Sequence, residues 1–390
     1  MRIVLVHPRM SVMGGGERVA VHSIKEALRE GHEVYLACER FDVDGFEDFF
    51  GVQGLLDNVR LLTYPPFRPV IRRAVLYQRL IYHQLRLRGI VSKRPRFDLI
   101  LNTAEVANQP GGRLPAIEYC YFPDYFSHLE TNSLPNLWEL YYRPARVFYH
   151  SRVSHIDRLL AVSDYTREFV KETWRRDSTT LYPPCPVDLY SGLRDDPKEN
   201  LVITVGRIGP EKRMELFLEI ARRMLHVKFA IIGSVSEDKK SYSDMLKKAA
   251  PSNVSFVLAP LRKVKDILGR AKVYVHSALN EHFGITIVEA MAAGCVPVVH
   301  NSGGPREIVT NNVGYKWSTV PEASSQIADL IGDDALRREF SKVAAARSKL
   351  FGPEAFESGL ARVLGEFQRS PGDDRGARVA KTLQTSTPGA

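Results

Sequence analysis

Cysteine is scarce in this chain: four residues in 390, at positions 38, 120, 185 and 295. They show no C-x-x-C pair and no metal-ligand spacing, which leaves no cysteine-built redox or zinc motif and suits a reduced, cytoplasmic protein. Long apolar runs are missing as well. No stretch approaches the ~20 residues a membrane-spanning helix needs, and the opening residues enter a strand directly, with too short an apolar run for a signal peptide. Neither G-x-G-x-x-G nor a Walker loop occurs, so a dinucleotide cofactor and a P-loop nucleotide site fit poorly. Acidic residues are absent between Asp57 and Asp98, although the whole chain carries 45 acidic and 54 basic residues, a net +9.

What is present is an alternation of strand-like apolar runs and helical stretches. The runs are Ile3–Val6, Glu33–Ala37, Leu99–Leu101, Leu159–Val162, Leu201–Val205, Phe229–Ile232, Val273–Val275 and Val296–Val299. Such alternation predicts α/β architecture with parallel sheets covered by helices on both faces. The length accommodates two domains. Pro183, Pro184, Pro186 and Pro197 interrupt the pattern and mark the break. The expected division is an N-terminal Rossmann-like domain over 1–185, a second over 186–352, a terminal helix over 353–368, and a polar tail over 369–390 without apolar period, expected to be disordered.

Four short segments carry chemistry. Glu281-His282-Phe283-Gly284-Ile285 leads into an apolar run containing Glu289, so two carboxylates stand eight residues apart. If a helix starts at Gly284, its free N–H groups form an anion site, with Glu281 just ahead of it and Glu289 in its first turns. A plain helix cap with a solvated acid would read the same in isolation. Gly206-Arg207-Ile208-Gly209-Pro210-Glu211-Lys212 follows the run Leu201–Val205, with Pro210 suited to the first turn of the next helix. Arg207 and Lys212 would then project from the carboxyl end of a strand, where open α/β sheets bind ligands, and both grip phosphate. Gly14-Gly15-Gly16-Glu17 follows the opening strand and lets backbone approach a ligand closely. Asn301-Ser302-Gly303-Gly304-Pro305-Arg306-Glu307 follows the run Val296–Val299.

Together with His7-Pro8, Tyr182-Pro183-Pro184-Cys185 and Met291-Ala292-Ala293-Gly294, these segments resemble the family 4 glycosyltransferases. That family has the GT-B fold, two Rossmann-like domains facing across a cleft, and retains anomeric configuration. The wording is most similar to the branch of GDP-mannose-dependent α-1,2-mannosyltransferases that extend dolichol-pyrophosphate-linked oligosaccharide. The resemblance covers residues 2 to 367. It implies that Arg207 and Lys212 hold the donor diphosphate and stabilise it as leaving group. Glu281 contacts the donor sugar, with Phe283, Gly284 and Ile285 supplying nearby backbone groups. Glu289 binds the nucleotide ribose, and Gly15 and Gly16 close on the diphosphate from the first domain. The family often places a histidine after a strand of its first domain; here Tyr121 takes that position, and His128 is the nearest substitute. The implied partners are GDP-mannose and a lipid-linked glycan, with no cofactor and no metal. Alternatives left open are a UDP-sugar donor for surface polysaccharide, with the base pocket around Val257 to Lys265, a non-catalytic sugar-nucleotide-binding subunit, and an epimerase of the same fold.

Residues 68–96 gather Arg68, Arg72, Arg73, Arg79, Arg86, Arg88, Lys93, Arg94 and Arg96, with Ile71, Val75, Gln78, Tyr82 and Leu85 at helical spacing. This segment is expected to rest on an anionic membrane surface at its cytosolic face, each basic residue contributing about 1 kcal/mol; a domain helix with a cationic solvent face is the competing reading. No aromatic-rich recognition motif accompanies the stripe, which argues against nucleic acid. Asp42-Val43-Asp44 resembles a metal-binding D-x-D but reads better as a turn. Glycosyl transfer is therefore expected to persist in EDTA, and complete loss of activity on chelation would contradict a metal-free mechanism.

Overall fold

The computed structural model of the protein describes residues 1–71, 73–92, 96–123, 135–259 and 265–368. Arg72, Lys93, Arg94, His128, residues 260–264 of the expected base pocket and the tail 369–390 lie outside the described residues. Among the described residues two parallel sheets form, of seven and six strands. The first runs β3 (Arg60–Tyr64), β2 (Glu33–Glu39), β1 (Arg2–Val6), β4 (Leu99–Asn102), β5 (Ala116–Cys120), β6 (Arg158–Ala161) and β7 (Thr179–Thr180). The second runs β10 (Val254–Val257), β9 (Lys228–Ile232), β8 (Glu199–Val205), β11 (Ala271–His276), β12 (Val296–His300) and β13 (Tyr315–Trp317).

Both sheets reverse winding direction in the middle, between β1 and β4 and between β8 and β11. At such a switch point the loops leaving adjacent strands diverge to opposite faces and open a crevice at the carboxyl ends. The central strands are buried on both faces: Ile3, Val4, Leu5 and Val6 are inaccessible, as are Val273, Tyr274 and Val275. That is why they read as continuous apolar runs. β5 is also central but contains Glu118, fully buried, whose carboxylate accepts from Asn102 Nδ2 at 2.7 Å. Burial pushes this carboxyl well above its usual value, with Asn102 only partly offsetting.

The last helix, Pro353–Gln368, lies against the helix Gly15–Arg29 of the first lobe. Its Phe356 meets Tyr119 of β5 edge-on at 5.9 Å, and Glu357 pairs with His22 Nδ1 at 2.7 Å. Leu360 is buried in the same seam. The helix in the basic segment runs Val75–Val91 and starts later than the periodicity suggested, because Ala74 adopts a left-handed conformation (φ 50°) that turns the chain. Ile71 thus precedes the helix and is exposed, while Val75, Gln78 and Tyr82 are half-buried and Leu85 is exposed. No helix among the described residues is long and apolar enough to cross a membrane. Asp42 caps the helix Val43–Phe50 by accepting from Gly45 N at 3.2 Å, so its carboxylate has a structural partner.

Leu360→Ala is expected to destabilise the chain by about 3 kcal/mol in denaturant unfolding. The exposed Leu85→Ala should change stability by less than about 0.5 kcal/mol; equal effects would contradict the seam's role.

Candidate active site

The β8–β11 switch point brings together two loops that are distant in sequence. After β8 the chain forms one tight turn, Pro210–Lys212, and not the start of the long helix. Arg213 (φ 47°) then redirects it into the helix Met214–Arg223. The Lys212 carbonyl accepts from Ser277 Oγ at 2.8 Å, fastening this turn to the loop after β11. The Lys212 ammonium consequently meets the Glu281 carboxylate in an ion pair. His276, the last residue of β11, is buried and places Nε2 3.4 Å from the same Glu281 oxygen. Burial alone would raise the Glu281 carboxyl, but Lys212 and His276 outweigh it and hold it well below the ordinary range. Arg207, two residues after the end of β8, is exposed.

The Glu281 loop is braced from behind by the Gly303-Gly304 segment. Gly304 N donates to the Glu281 carbonyl at 2.8 Å. A Cβ at Gly303 would lie 2.5 Å from the Glu281 oxygen, and one at Gly304 would lie 2.4 Å from the His282 oxygen. Only glycine admits that approach. Gly284 caps the helix Ile285–Ala292 with φ 109°, so Glu281 lies ahead of the helix and Glu289 within it. The Phe283 ring is buried against Tyr182 and Phe351, each at 5.5 Å. Glu289 is buried, and burial pushes its carboxyl up to about 7, with Arg18 pulling the other way.

The first lobe meets this surface directly. A Cβ at Gly15 would lie 2.7 Å from Ile285 Cδ1, so the glycine loop touches the start of the Glu289 helix. Phe122 stacks on His282 at 4.2 Å with rings 4° from parallel, and Ser163 Oγ donates to the His282 carbonyl at 2.6 Å. Glu307 accepts from the N–H groups of Asp164 and Tyr165 at 2.8 and 2.6 Å, capping a first-lobe helix from the second lobe.

On the first-lobe side, the loops after β1 and β4 enclose a cavity of about 180 Å³ lined by His7, Gly16, Glu17, Arg79, Glu105 and Tyr121. Tyr121 donates to the carbonyls of Thr103 (3.0 Å) and Gly16 (3.3 Å), and so supports the glycine loop. Burial, then the Glu17 and Glu118 carboxylates, push its phenol well up, so it stays neutral. His7 Nε2 lies 3.1 Å from Glu17 Oε1, and its Nδ1 lies 3.0 Å from both oxygens of Thr103. The other Glu17 oxygen accepts from Gly14 N at 2.7 Å. Burial would raise Glu17, but the His7 contact and Gly14 outweigh it and lower the carboxyl.

The structure therefore gathers Glu281, Lys212, Gly284, Ile285, Gly15 and Gly16 at one interlobe surface, with Tyr121 beside it and Arg207 in the loop after β8; His128 lies outside the described residues. Sequence reasoning missed His276, His7, Phe122, Ser163 and Glu307 as parts of this surface. His276 directly follows an apolar strand run, and Glu307 closes the Gly-Gly-Pro-Arg-Glu segment; both were readable as strand-end or helix-start polar residues. The contacts of Phe122 and Ser163 cross between lobes and left no local signal.

Because Glu289 holds its proton more tightly folded than unfolded, the fold loses stability as pH rises from the ordinary carboxylate range through about 7. The full loss amounts to roughly 3 kcal/mol. Glu289→Gln should therefore be more stable than the parent in urea melts at about pH 8, with the gap closing toward about pH 4. A gap independent of pH would contradict the assignment.

A family profile described as "Glycosyltransferase Family 4" matches residues 13–189, and one described as "Glycosyl transferases group 1" matches residues 192–347. Among curated proteins, the chain is 25% identical over 380 residues to "GDP-Man:Man(3)GlcNAc(2)-PP-Dol alpha-1,2-mannosyltransferase" of Yarrowia lipolytica, covering 77% of this chain and 57% of that protein. The protein of the same description in Caenorhabditis elegans is 29% identical over 223 residues, covering 50% and 47%. The chain spans about half the length of the curated relatives it matches. Among solved structures, sucrose-phosphate synthase from Thermosynechococcus elongatus superposes with a TM-score of 0.76 at 15% identity, covering 95% of this chain and 100% of that one. Anabaena HepE, solved in complex with UDP and glucose, gives 0.69 at 16% identity, covering 94% and 99%. With one profile on each lobe and the whole two-lobed architecture matched, the chain belongs to the family 4 glycosyltransferases and has the GT-B fold.

Proposed function

We propose that the protein is a retaining mannosyltransferase that moves mannose from GDP-mannose to a lipid-linked glycan on the cytosolic face of a membrane. The observation that carries this reading is the Lys212–Glu281–His276 cluster at the second sheet's switch point, opposite the Gly15–Gly16 loop. A diphosphate entering this crevice exchanges the Lys212–Glu281 pair for a Lys212–phosphate contact, with Arg207 adding a bidentate grip. Glu281 is then released toward the sugar hydroxyls, with His276 holding its charge. As the glycosidic bond breaks, negative charge grows on the diphosphate, and preorganised cations together with the N–H groups at Ile285 receive it. Retention without an enzyme nucleophile implies attack from the same face, the departing diphosphate taking the acceptor proton. Glu289 takes the ribose, in protonated or ionised form near neutral pH.

In this reading residues 1–185 hold the acceptor, residues 186–352 hold the donor, and the helix 353–368 ties them together. Tyr121 acts by supporting the glycine loop and not by proton transfer, since its phenol stays neutral. The membrane contact is through residues 68–96, where Ile81 (61% exposed) and Leu85 (69% exposed) stand among arginines. The mannosyl donor and the dolichol-linked acceptor rest on the descriptions of the curated relatives.

Lys212→Ala should lower kcat/KM for mannosyl transfer by about 100- to 1000-fold. GDP-mannose at 100-fold its dissociation constant should stabilise the wild type by about 2.7 kcal/mol, and UDP-sugars should give little. Stabilisation by UDP-sugars alone would overturn the donor, and binding without turnover would overturn the enzymatic role. Tyr121→Phe should retain measurable transfer, whereas abolition would restore a direct chemical role for that hydroxyl.

A further inference from the structure

A second basic cavity lies at the far end of the first sheet. The helix Val75–Val91 and the helix Pro135–Val153 run side by side: Tyr77 meets Tyr141 at 5.3 Å near their starts, and Arg88 and Arg152 line a common cavity near their ends. The two intervals are equal, eleven residues in each helix, so the helices point the same way and both bring their carboxyl-terminal turns to the cavity. The cavity has a volume of about 520 Å³, and its charged lining consists of Arg88, Arg113, Arg152 and His155, around Gly111 and Gly112. Among the described residues, no acidic residue lines it. It adjoins Leu114, just before β5, whereas Tyr121 follows β5 at the donor end; five residues of strand separate them by roughly 17 Å.

Two parallel helix ends present about one negative charge in total, half from each. Arg88 and Arg152 carry two positive charges, and neither forms an ion pair among the described residues. The balance is positive on these two residues alone. Arg88 commits only Nε, to the Pro110 carbonyl at 3.2 Å. Arg152 lies over the Phe148 ring at 4.9 Å, and its buried Nε has no hydrogen-bond partner. Burial, then the neighbouring Arg88, lower the Arg152 guanidinium from its ordinary value. Gly111 (φ 74°) makes this arrangement possible, since a Cβ there would lie 2.8 Å from Arg152 Nη1. Beside Gly112 (φ 109°) the space is open. A glycine pair thus lets two guanidiniums face one void.

We propose that this cavity is a second anion site, separate from the donor crevice, that takes a phosphate or pyrophosphate group between Arg88 and Arg152. Planar guanidiniums bind phosphate oxygens bidentately, and a tetrahedral oxyanion satisfies both at once. The chemistry is shared by a lipid headgroup phosphate and a free phosphate. The same two helices expose Ile81, Leu85, Leu137, Leu140 and Val147, so a headgroup source would bring its apolar chains against available apolar surface.

The test uses the full chain and two charge-matched double variants: Arg88→Gln/Arg152→Gln in the cavity, and Arg68→Gln/Arg86→Gln on the exposed basic surface. Each is introduced alone and into an Arg207→Ala/Lys212→Ala background that disables the donor crevice. Circular dichroism confirms folding, and the single variant Arg152→Gln serves if the cavity double variant fails to fold. One arm measures the thermal shift with inorganic pyrophosphate. The other measures cosedimentation with phosphatidylcholine vesicles containing phosphatidic acid, against phosphatidylcholine alone. A pyrophosphate shift in the donor-disabled background, lost in the cavity variant and kept in the surface variant, supports the site with a soluble source. No pyrophosphate shift, but vesicle binding weakened about 30-fold or more by the cavity variant and distinctly less by the surface variant, supports it with a lipid source. Equal losses in the two variants, or no binding in either arm, overturn it.

Discussion

The site depends on one ion pair held in place by backbone. Lys212 and Glu281 are sixty-nine positions apart and meet because β8 and β11 are neighbours at the point where the second sheet reverses. Neither side chain would be positioned without its loop: the Lys212 turn is tied by Ser277, and the Glu281 loop is pressed against Gly303 and Gly304. His276 adds a second partner from the end of β11. The two charges satisfy each other, so the cation is held in place where, in the proposed reading, a diphosphate would displace the carboxylate. This is preorganisation in a concrete form: little rearrangement is needed as charge develops on the leaving group.

The first lobe repeats the logic with different residues. At its own switch point, His7 and Glu17 form a buried pair whose second carboxylate oxygen fixes Gly14, and Tyr121 holds the carbonyl of Gly16. The glycine loop is therefore shaped from both ends and touches the helix that carries Glu289. The Phe122–His282 stack, the Ser163 hydroxyl and the Glu307 cap join the lobes around the crevice. Residues that look peripheral in sequence thus set the distance between the two lobes.

The sequence revealed the sheets wherever strands are covered on both faces. Seven of the eight apolar runs lie wholly within strands and the eighth, Leu159–Val162, overruns β6 by one residue, because burial on two faces demands continuous hydrophobicity. The strands that were not read have physical reasons for looking different. β3, β10 and β13 are edge strands with partly exposed residues, β7 has only two residues, and β5 hides a fully buried Glu118 inside its run. Within the site, local signals survived for Glu281, Lys212, Arg207 and the glycines, since each follows a strand or opens a helix. The interlobe contacts escaped because their partners lie more than a hundred positions away, and His276 because only the turn of the loop after β11 brings Glu281 back beside it. The late start of the Val75 helix escaped because a left-handed alanine has no compositional mark.

The most direct measurement is a crystal structure of the chain with GDP-mannose bound. The account predicts the diphosphate in contact with Lys212 Nζ and the Arg207 guanidinium, the sugar within reach of Glu281, and Gly15–Gly16 closing from the opposite lobe. A diphosphate bound elsewhere, with Lys212 and Glu281 still paired to each other, would contradict it.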